Sequence, residues 1–262
     1  MKIFDAFLFN DEWDLLELRF RYLWNHVDHF VIVEGDRDFA GRPKPSSETR
    51  LRATFDQYWS KIQYVGINLL ENPINRWENE TIQRNGLGSC LDQMDRNDIL
   101  LMSDADEIPH RQAISALRGG AHTPTALVIR NHYYYLNVRD YGHGHDVYMP
   151  KVIACRAFEL NCIRTPQNWQ NNRLHLTTLG PEGWHFSYLG GPEAIAKKLS
   201  QFSHSEFDTD YHRSVERLTG IIDRNEDLFG RPEHTFMRIP IDSTFPEPLQ
   251  EDPERWAQYI KS

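Results

Sequence analysis

The sequence predicts an α/β fold in one domain, with a mostly parallel central sheet covered by helices on both faces. Three observations carry this. First, short apolar runs such as Phe30-Val31-Ile32-Val33 and Ile99-Leu100-Leu101-Met102 are continuous rather than alternating, as in strands buried on both sides. Second, these runs alternate with helical spacing, so strand, helix and strand repeat along the first half of the chain. Third, 262 residues at about 150 per domain leave room for one to two domains, and no Pro/Gly/Ser-rich linker divides them.

Lys2 to Phe9 reads as the first strand, closed by Asn10-Asp11. Trp13, Leu16, Phe20, Leu23 and Val27 recur at helical spacing and predict an amphipathic helix. The second strand, Phe30 to Val33, ends at Glu34-Gly35-Asp36, and Arg37 to Pro45 then reads as a mobile cationic loop carrying Arg37, Arg42 and Lys44. Helices are expected from Glu48 to Trp59 and from Asn79 to Met94, the latter weakened by Gly86 and Gly88, with a strand from Ile62 to Val65 between them. A strand from Asp98 to Ser103 runs into Asp104-Ala105-Asp106-Glu107; a short helix from His110 to Leu117 and a strand from Thr125 to Ile129 follow. Beyond residue 130 the pattern loosens. Gly190-Gly191-Pro192 opens a helix with Ile195, Leu199 and Phe202 on one face, and a longer helix is expected from Thr209 to Asp227.

Composition narrows the function. Hydrophobic residues at 40% and charged residues at 26% describe an ordinary folded protein, which excludes disorder and low complexity. A formal charge of -9 argues against a surface that covers nucleic acid phosphates. Cys90, Cys155 and Cys162 form no disulfide framework and no CxxC motif, and the chain shows neither a signal peptide nor an apolar run long enough to span a bilayer. A cytoplasmic protein without an integral membrane segment is therefore expected.

The chemistry concentrates at Asp104 and Asp106, two carboxylates one residue apart where a buried strand ends. Such a pair repels itself unless a cation or proton intervenes, and hard oxygen ligands suit Mn²⁺ or Mg²⁺ shared with substrate phosphates. The competing reading is an Asp pair that merely caps the following helix. Trp184, Trp169 and Tyr133 to Tyr135 could line a sugar cleft or fill the core.

The segments Asp5-Ala6-Phe7-Leu8-Phe9-Asn10 with Glu12, Val31-Ile32-Val33-Glu34, Pro43-Lys44-Pro45, Gln83-Arg84-Asn85, Ser103-Asp104-Ala105-Asp106-Glu107-Ile108-Pro109 and Gly183-Trp184-His185-Phe186-Ser187 with Lys198 resemble glycosyltransferase family 17. The resemblance implies a GT-A-like sheet in one domain over residues 1–236, with a nucleotide-sugar half to about residue 130, an acceptor half beyond it, and a Pro-rich tail over 237–262 packed on the surface. It implies a metal-dependent, inverting hexosyltransferase that moves GlcNAc from a UDP-sugar donor to a glycan acceptor. The animal members carry a Golgi membrane anchor that this chain does not show. Carried onto these positions, Asp104, Asp106 and His185 would hold the metal, while Phe7, Glu34, Lys44, Arg84, Asn85 and Asp104 would contact the donor. The general base is left open among Asp146, in the loop His143-Gly144-His145-Asp146, Glu182 and Glu107. Two rival functions remain: a metal-dependent nucleotidyltransferase or phosphohydrolase, and a non-catalytic carbohydrate-binding protein.

Overall fold

The computed structural model describes residues 1–142, 145–159 and 166–262, without the side chains of residues 168 and 169. His143 and Gly144, Cys162 and the Trp169 side chain lie outside the described residues. The apolar runs take the middle of one mixed sheet, where both faces can be covered. β1 (Ile3–Leu8), β2 (His29–Gly35), β3 (Ile62–Ile67) and β4 (Ile99–Asp104) lie parallel in the order β3-β2-β1-β4. Leu8 pairs with Asp104, so β1 and β4 deliver their carboxyl ends side by side. In open α/β sheets that edge is where ligands bind.

The remainder of the sheet is mixed and largely antiparallel. β9 (Tyr148–Arg156) runs antiparallel to β4, β6 (Thr125–Tyr133) runs antiparallel to β9, and β7 (Val138–Gly142) and β11 (His234–Arg238) extend that flank. β8 (His145–Asp146) adds a short pairing to β7. β10 (Thr177–Ser187) lies parallel to β6 and antiparallel to β5 (Glu107–Ile108), which places His185 opposite Glu107. The fold is thus a single α/β domain whose sheet is parallel in its first half and mixed in its second. Strands β7, β9 and β11 escaped prediction because they are short or interrupted. Pro150 lies within β9, and the β10 register shifts between Leu179 and Gly183, around Pro181.

Helices cover the sheet where their apolar stripes meet it. α1 (Trp13–Leu23) buries Leu15, Leu16, Leu18, Phe20 and Leu23 against Phe7, Phe30 and Ile32. α2 (Glu48–Thr54) and α3 (Arg76–Asn85) are shorter than expected, and each continues as a 3₁₀ turn; α4 (Arg111–Arg118) and α5 (Pro166–Asn172) follow along the chain. At Gly86 a Cβ would approach Val33 Cγ1 to 2.8 Å, so the close packing of this turn on β2 needs glycine. The expected helix over 209–227 divides into α7 (Asp210–Arg213) and α8 (Val215–Arg224), because Ser214 leaves the helical region and its hydroxyl caps the Arg217 amide. α6 (Gly191–Gln201) packs Ile195 and Leu199 on the α8 residues Leu218, Ile221 and Ile222.

Two further expectations change. The tail is more than a surface wrap, since Phe245, Leu249 and Trp256 enter the main core; α9 (Glu247–Glu251) and α10 (Pro253–Trp256) bring the last two in. The 37–45 loop is pinned rather than mobile. Backbone bonds link Asp38 with Arg42, Lys44 with Asp36, and Phe39 with Gln201 of α6. Gly41 sits at φ +87°, and a Cβ there would lie 2.1 Å from the Glu71 carbonyl oxygen. Cys90 and Cys155 are free and buried.

Candidate active site

β1 and β4 end at a cleft of about 700 Å³, walled on the other side by α6. The turn that carries the two aspartates is built from below by Arg19 of α1. Its guanidinium is fully buried, donates to both Asp5 carboxylate oxygens at 2.8 and 2.6 Å, and reaches Ser103 Oγ at 2.7 Å. The remaining nitrogen donates to the carbonyls of Asp104 at 3.1 Å and Glu107 at 3.0 Å. Five donors in a rigid fork thus tie the turn to the first strand. Glu107 completes the frame: its carboxylate accepts the Asp104 amide at 2.9 Å and lies 3.1 Å from Lys151 Nζ.

Both aspartates face the cleft and both meet cations. Asp104 Oδ1 is 3.0 Å from Arg84 Nη1, while over a third of the side chain stays exposed. Asp106 is nearly enclosed, with Oδ2 2.8 Å from Lys198 Nζ and Oδ1 3.6 Å from His185 Nε2. Burial alone would raise the Asp106 pKa, but Lys198 and His185 outweigh it and hold the carboxyl far below the usual range. Asp104 is likewise lowered, Arg84 more than offsetting burial. Lys198 in turn is raised: Asp106 and Glu12 overcome the cost of its burial.

The expected metal ligands can be tested on this geometry. Mn²⁺ and Mg²⁺ commonly take one or two carboxylates and complete their shell with water and substrate phosphates. Asp106 Oδ1 and His185 Nε2, 3.6 Å apart, are close enough for one ion to touch both, and the exposed part of Asp104 opens on the same cleft. Among the described residues no group of three or more His, Cys, Asp or Glu side chains is gathered that could hold a metal ion, so Asp104, Asp106 and His185 do not stand as a ready three-ligand set; Asp106 and His185 alone are within reach of one ion.

Other expected residues lie elsewhere. Phe7 is fully buried beneath the Arg19 guanidinium, 4.3 Å from its ring centre, and has no face to offer a donor. Glu34 is also buried and saturated: it accepts from Lys44 Nζ, the Ser47 amide and hydroxyl, and Tyr64 OH at 2.7 to 2.9 Å. Glu34 and Lys44 therefore anchor the 37–45 loop. Asn85 accepts the Gln167 amide at 3.2 Å, outside the cleft lining. None of the three expected bases reaches the cleft. Glu107 is buried under the turn, Asp146 pairs with Arg139 at 3.2 Å on the far flank, and Glu182 faces Arg130 at 3.7 Å.

A carboxylate that sequence reasoning gave no role does line the cleft. Glu12, between β1 and α1, accepts the Asn10 amide at 2.6 Å and faces Lys198 and Asp106. Burial lifts its pKa above the ordinary Glu value; Lys198 opposes and Asp106 adds to the rise. Arg19 was legible in principle, because a charge inside the apolar stripe of a helix needs a buried partner, and Asp5 within a fully buried strand supplies one.

The family profile described as Glycosyltransferase family 17 matches residues 1–242, which takes in both aspartates, Glu12, His185 and Lys198. The chain belongs to this family. Its relatives include the beta-1,4-mannosyl-glycoprotein 4-beta-N-acetylglucosaminyltransferase of Rattus norvegicus, 27% identical over 261 residues, with 85% of this chain and 48% of the rat protein covered. The Homo sapiens protein of the same name is 27% identical over 254 residues, covering 84% of this chain and 48% of that one. The family 17 chain thus spans about half the length of these relatives. Among solved structures, 4-diphosphocytidyl-2C-methyl-D-erythritol synthase aligns with a TM-score of 0.42 and 15% identity over 70% of this chain and 88% of that one. The galactosyltransferase LgtC, solved with donor and acceptor sugar analogues, aligns with a TM-score of 0.34 and 9% identity over 100% of this chain and 97% of that one. Likenesses at this level carry no argument about chemistry. No helix among the described residues is long and apolar enough to cross a membrane.

Proposed function

We propose that this family 17 chain is a divalent-metal-dependent, inverting glycosyltransferase that moves N-acetylglucosamine from its UDP donor to a glycan hydroxyl. The observation that carries this reading is the pair Asp104 and Asp106 on the cleft, with His185 and Lys198 converging on Asp106. The family relationship and the names of its relatives supply the sugar.

Asp104, Asp106 and His185 would hold the Mn²⁺ or Mg²⁺ ion, which supplies Lewis-acid charge to a departing diphosphate. Arg84, Lys151 and Lys198 set three fixed cations around the same space, where low dielectric makes them effective against a negatively charged leaving group. In a single displacement the acceptor oxygen bonds to the sugar's anomeric carbon as the bond to UDP breaks, and the hydroxyl proton must leave. Glu12 receives that proton in our reading, since it lines the cleft and its raised pKa suits a general base.

Calorimetric titration of UDP with and without Mn²⁺, on wild type and Asp106→Ala, tests the reading. Binding that requires Mn²⁺ and is lost in the variant supports it; binding indifferent to both removes it. Turnover of a nucleotide with no sugar acceptor would instead favour a nucleotidyltransferase or phosphohydrolase.

A further inference from the structure

The sheet edge that carries the two aspartates holds a second cavity. β9 runs antiparallel to both β4 and β6, so β6 points the same way as β4, and β10 lies parallel to β6. The carboxyl ends of β6 and β10 therefore open on the same edge as those of β1 and β4. Just beyond them lies a space of about 360 Å³, bounded by Tyr134 and Tyr135, by α8 and by the C-terminal tail. Gly190 and Tyr259 line this cavity and the main cleft alike, so the two spaces meet there. Gly190 and Gly191 both lie at positive φ, +104° and +83°, and a Cβ at Gly191 would meet nothing within 4 Å. The partition is bare backbone beside open space. Its other member is fixed, since Tyr259 OH donates to Asp14 Oδ2 at 2.5 Å and Asp14 lines the main cleft.

The lining defines the ligand. Among the described residues the wall carries one charged side chain, Asp223, and no cation. The Lys261 ammonium, 5.7 Å from the Tyr135 ring centre, is spent on the Ile222 and Asp223 carbonyls and on Asn225 Oδ1. A diphosphate would be repelled here, whereas Arg84, Lys151 and Lys198 gather in the main cleft. Tyr135 and Tyr259 offer aromatic surface, and no described residue hydrogen-bonds the Gln258 side-chain amide or the Asp223 carboxylate. A neutral pyranose needs this combination: its C–H face packs on a ring while its hydroxyls exchange hydrogen bonds with unspent polar groups. The space is preformed. Tyr134 sits at φ +67°, a region that bulky residues avoid, held by its amide on the Ser187 carbonyl at 3.1 Å and its hydroxyl on the Glu226 carbonyl at 2.9 Å.

We propose that this cavity is the acceptor subsite: it holds a neutral sugar residue of the acceptor glycan while the reactive hydroxyl reaches into the main cleft past Gly190 and Tyr259. The proposal deepens the transferase reading above and rests on it.

Saturation-transfer NMR with the methyl glycosides of mannose, galactose, glucose and N-acetylglucosamine reports sugar binding without turnover, and calorimetry with UDP and Mn²⁺ reports the main cleft. Thr219→Trp fills the cavity from an exposed position of α8, where the native hydroxyl donates to the Val215 carbonyl; Tyr135→Ala removes part of the wall. Wild type is expected to transfer saturation to at least one glycoside in the presence of UDP. Thr219→Trp is expected to lose that signal while UDP affinity stays within a few fold. With an oligosaccharide ending in the glycoside that binds, both variants are expected to raise the acceptor KM by about 10-fold and to change kcat less. Thr219→Trp decides alone if Tyr135→Ala does not fold. Glycoside signals equal in wild type and folded Thr219→Trp, or none from any of the four in wild type, overturn the proposal. Cavity-dependent glycoside binding by a protein that moves no sugar from UDP-N-acetylglucosamine leaves the sugar site in place and sinks the transferase reading instead.

Discussion

Arg19 and Asp5 form a bidentate ion pair with no exposed surface, at 2.8 and 2.6 Å, beneath the turn that carries Asp104 and Asp106. The pair joins the first helix to the first strand and spends its spare donors on the carbonyls of that turn. Removing one partner strands the other charge in the core, which costs about 3–5 kcal/mol. Arg19→Met is therefore expected to lower the melting temperature by about 10 °C, read by calorimetry. Unchanged melting would show that the pair contributes little.

Acid should expose the Asp106 contribution. Its folded pKa is depressed, so the stability it contributes is complete above the unfolded Asp value of about 3.9 and is withdrawn as pH falls through that value towards the folded one. Urea midpoints of wild type and Asp106→Asn, compared from pH 6 to pH 3, are expected to differ most at the upper end and to converge with acid. A gap that widens in acid contradicts the assignment.

Glu12→Gln retains an oxygen for the Asn10 amide but cannot take a proton. Transfer is expected to fall by about 10²- to 10⁴-fold, with UDP affinity in Mn²⁺ held within a few fold. The wild-type kcat should decline on the acid side at a pH above that of an ordinary Glu, because burial raises the group, and that limb should vanish in the variant. Residual activity near wild type would assign the base elsewhere.

Glu34 distinguishes an anchor from a ligand. Glu34→Ala leaves Lys44, Ser47 and Tyr64 without their shared acceptor, a loss of about 2–3 kcal/mol. Hydrogen exchange over 36–47 should quicken markedly. A donor contact would show the reverse pattern: weaker UDP binding with loop exchange unaltered.

The first half of the fold was readable because buried parallel strands have a strong local signature. Phe30–Val33 and Ile99–Met102 are unbroken apolar runs; the first leads straight into Glu34 and the second, through Ser103, into Asp104. The second half was not, because β9 and β10 carry proline within the strand and find their partners far along the chain. The site divides in the same way. The adjacency of Asp104 and Asp106 is local and visible, whereas Lys198 lies 92 residues from Asp106, and only the packing of α6 across the cleft brings it to 2.8 Å.

The chain's own order of residues determined the α/β class, the family and the carboxylate pair, since each is written in neighbouring positions or in the period of apolar side chains. Tertiary structure alone decided which charges meet. It turned Glu34 and Lys44 into a loop anchor, drew Asp146 and Glu182 to arginines off the cleft, and set Glu12 inside it. The reason is physical: a carboxylate's role depends on the cation and the dielectric around it, and those come from strands and helices distant in sequence.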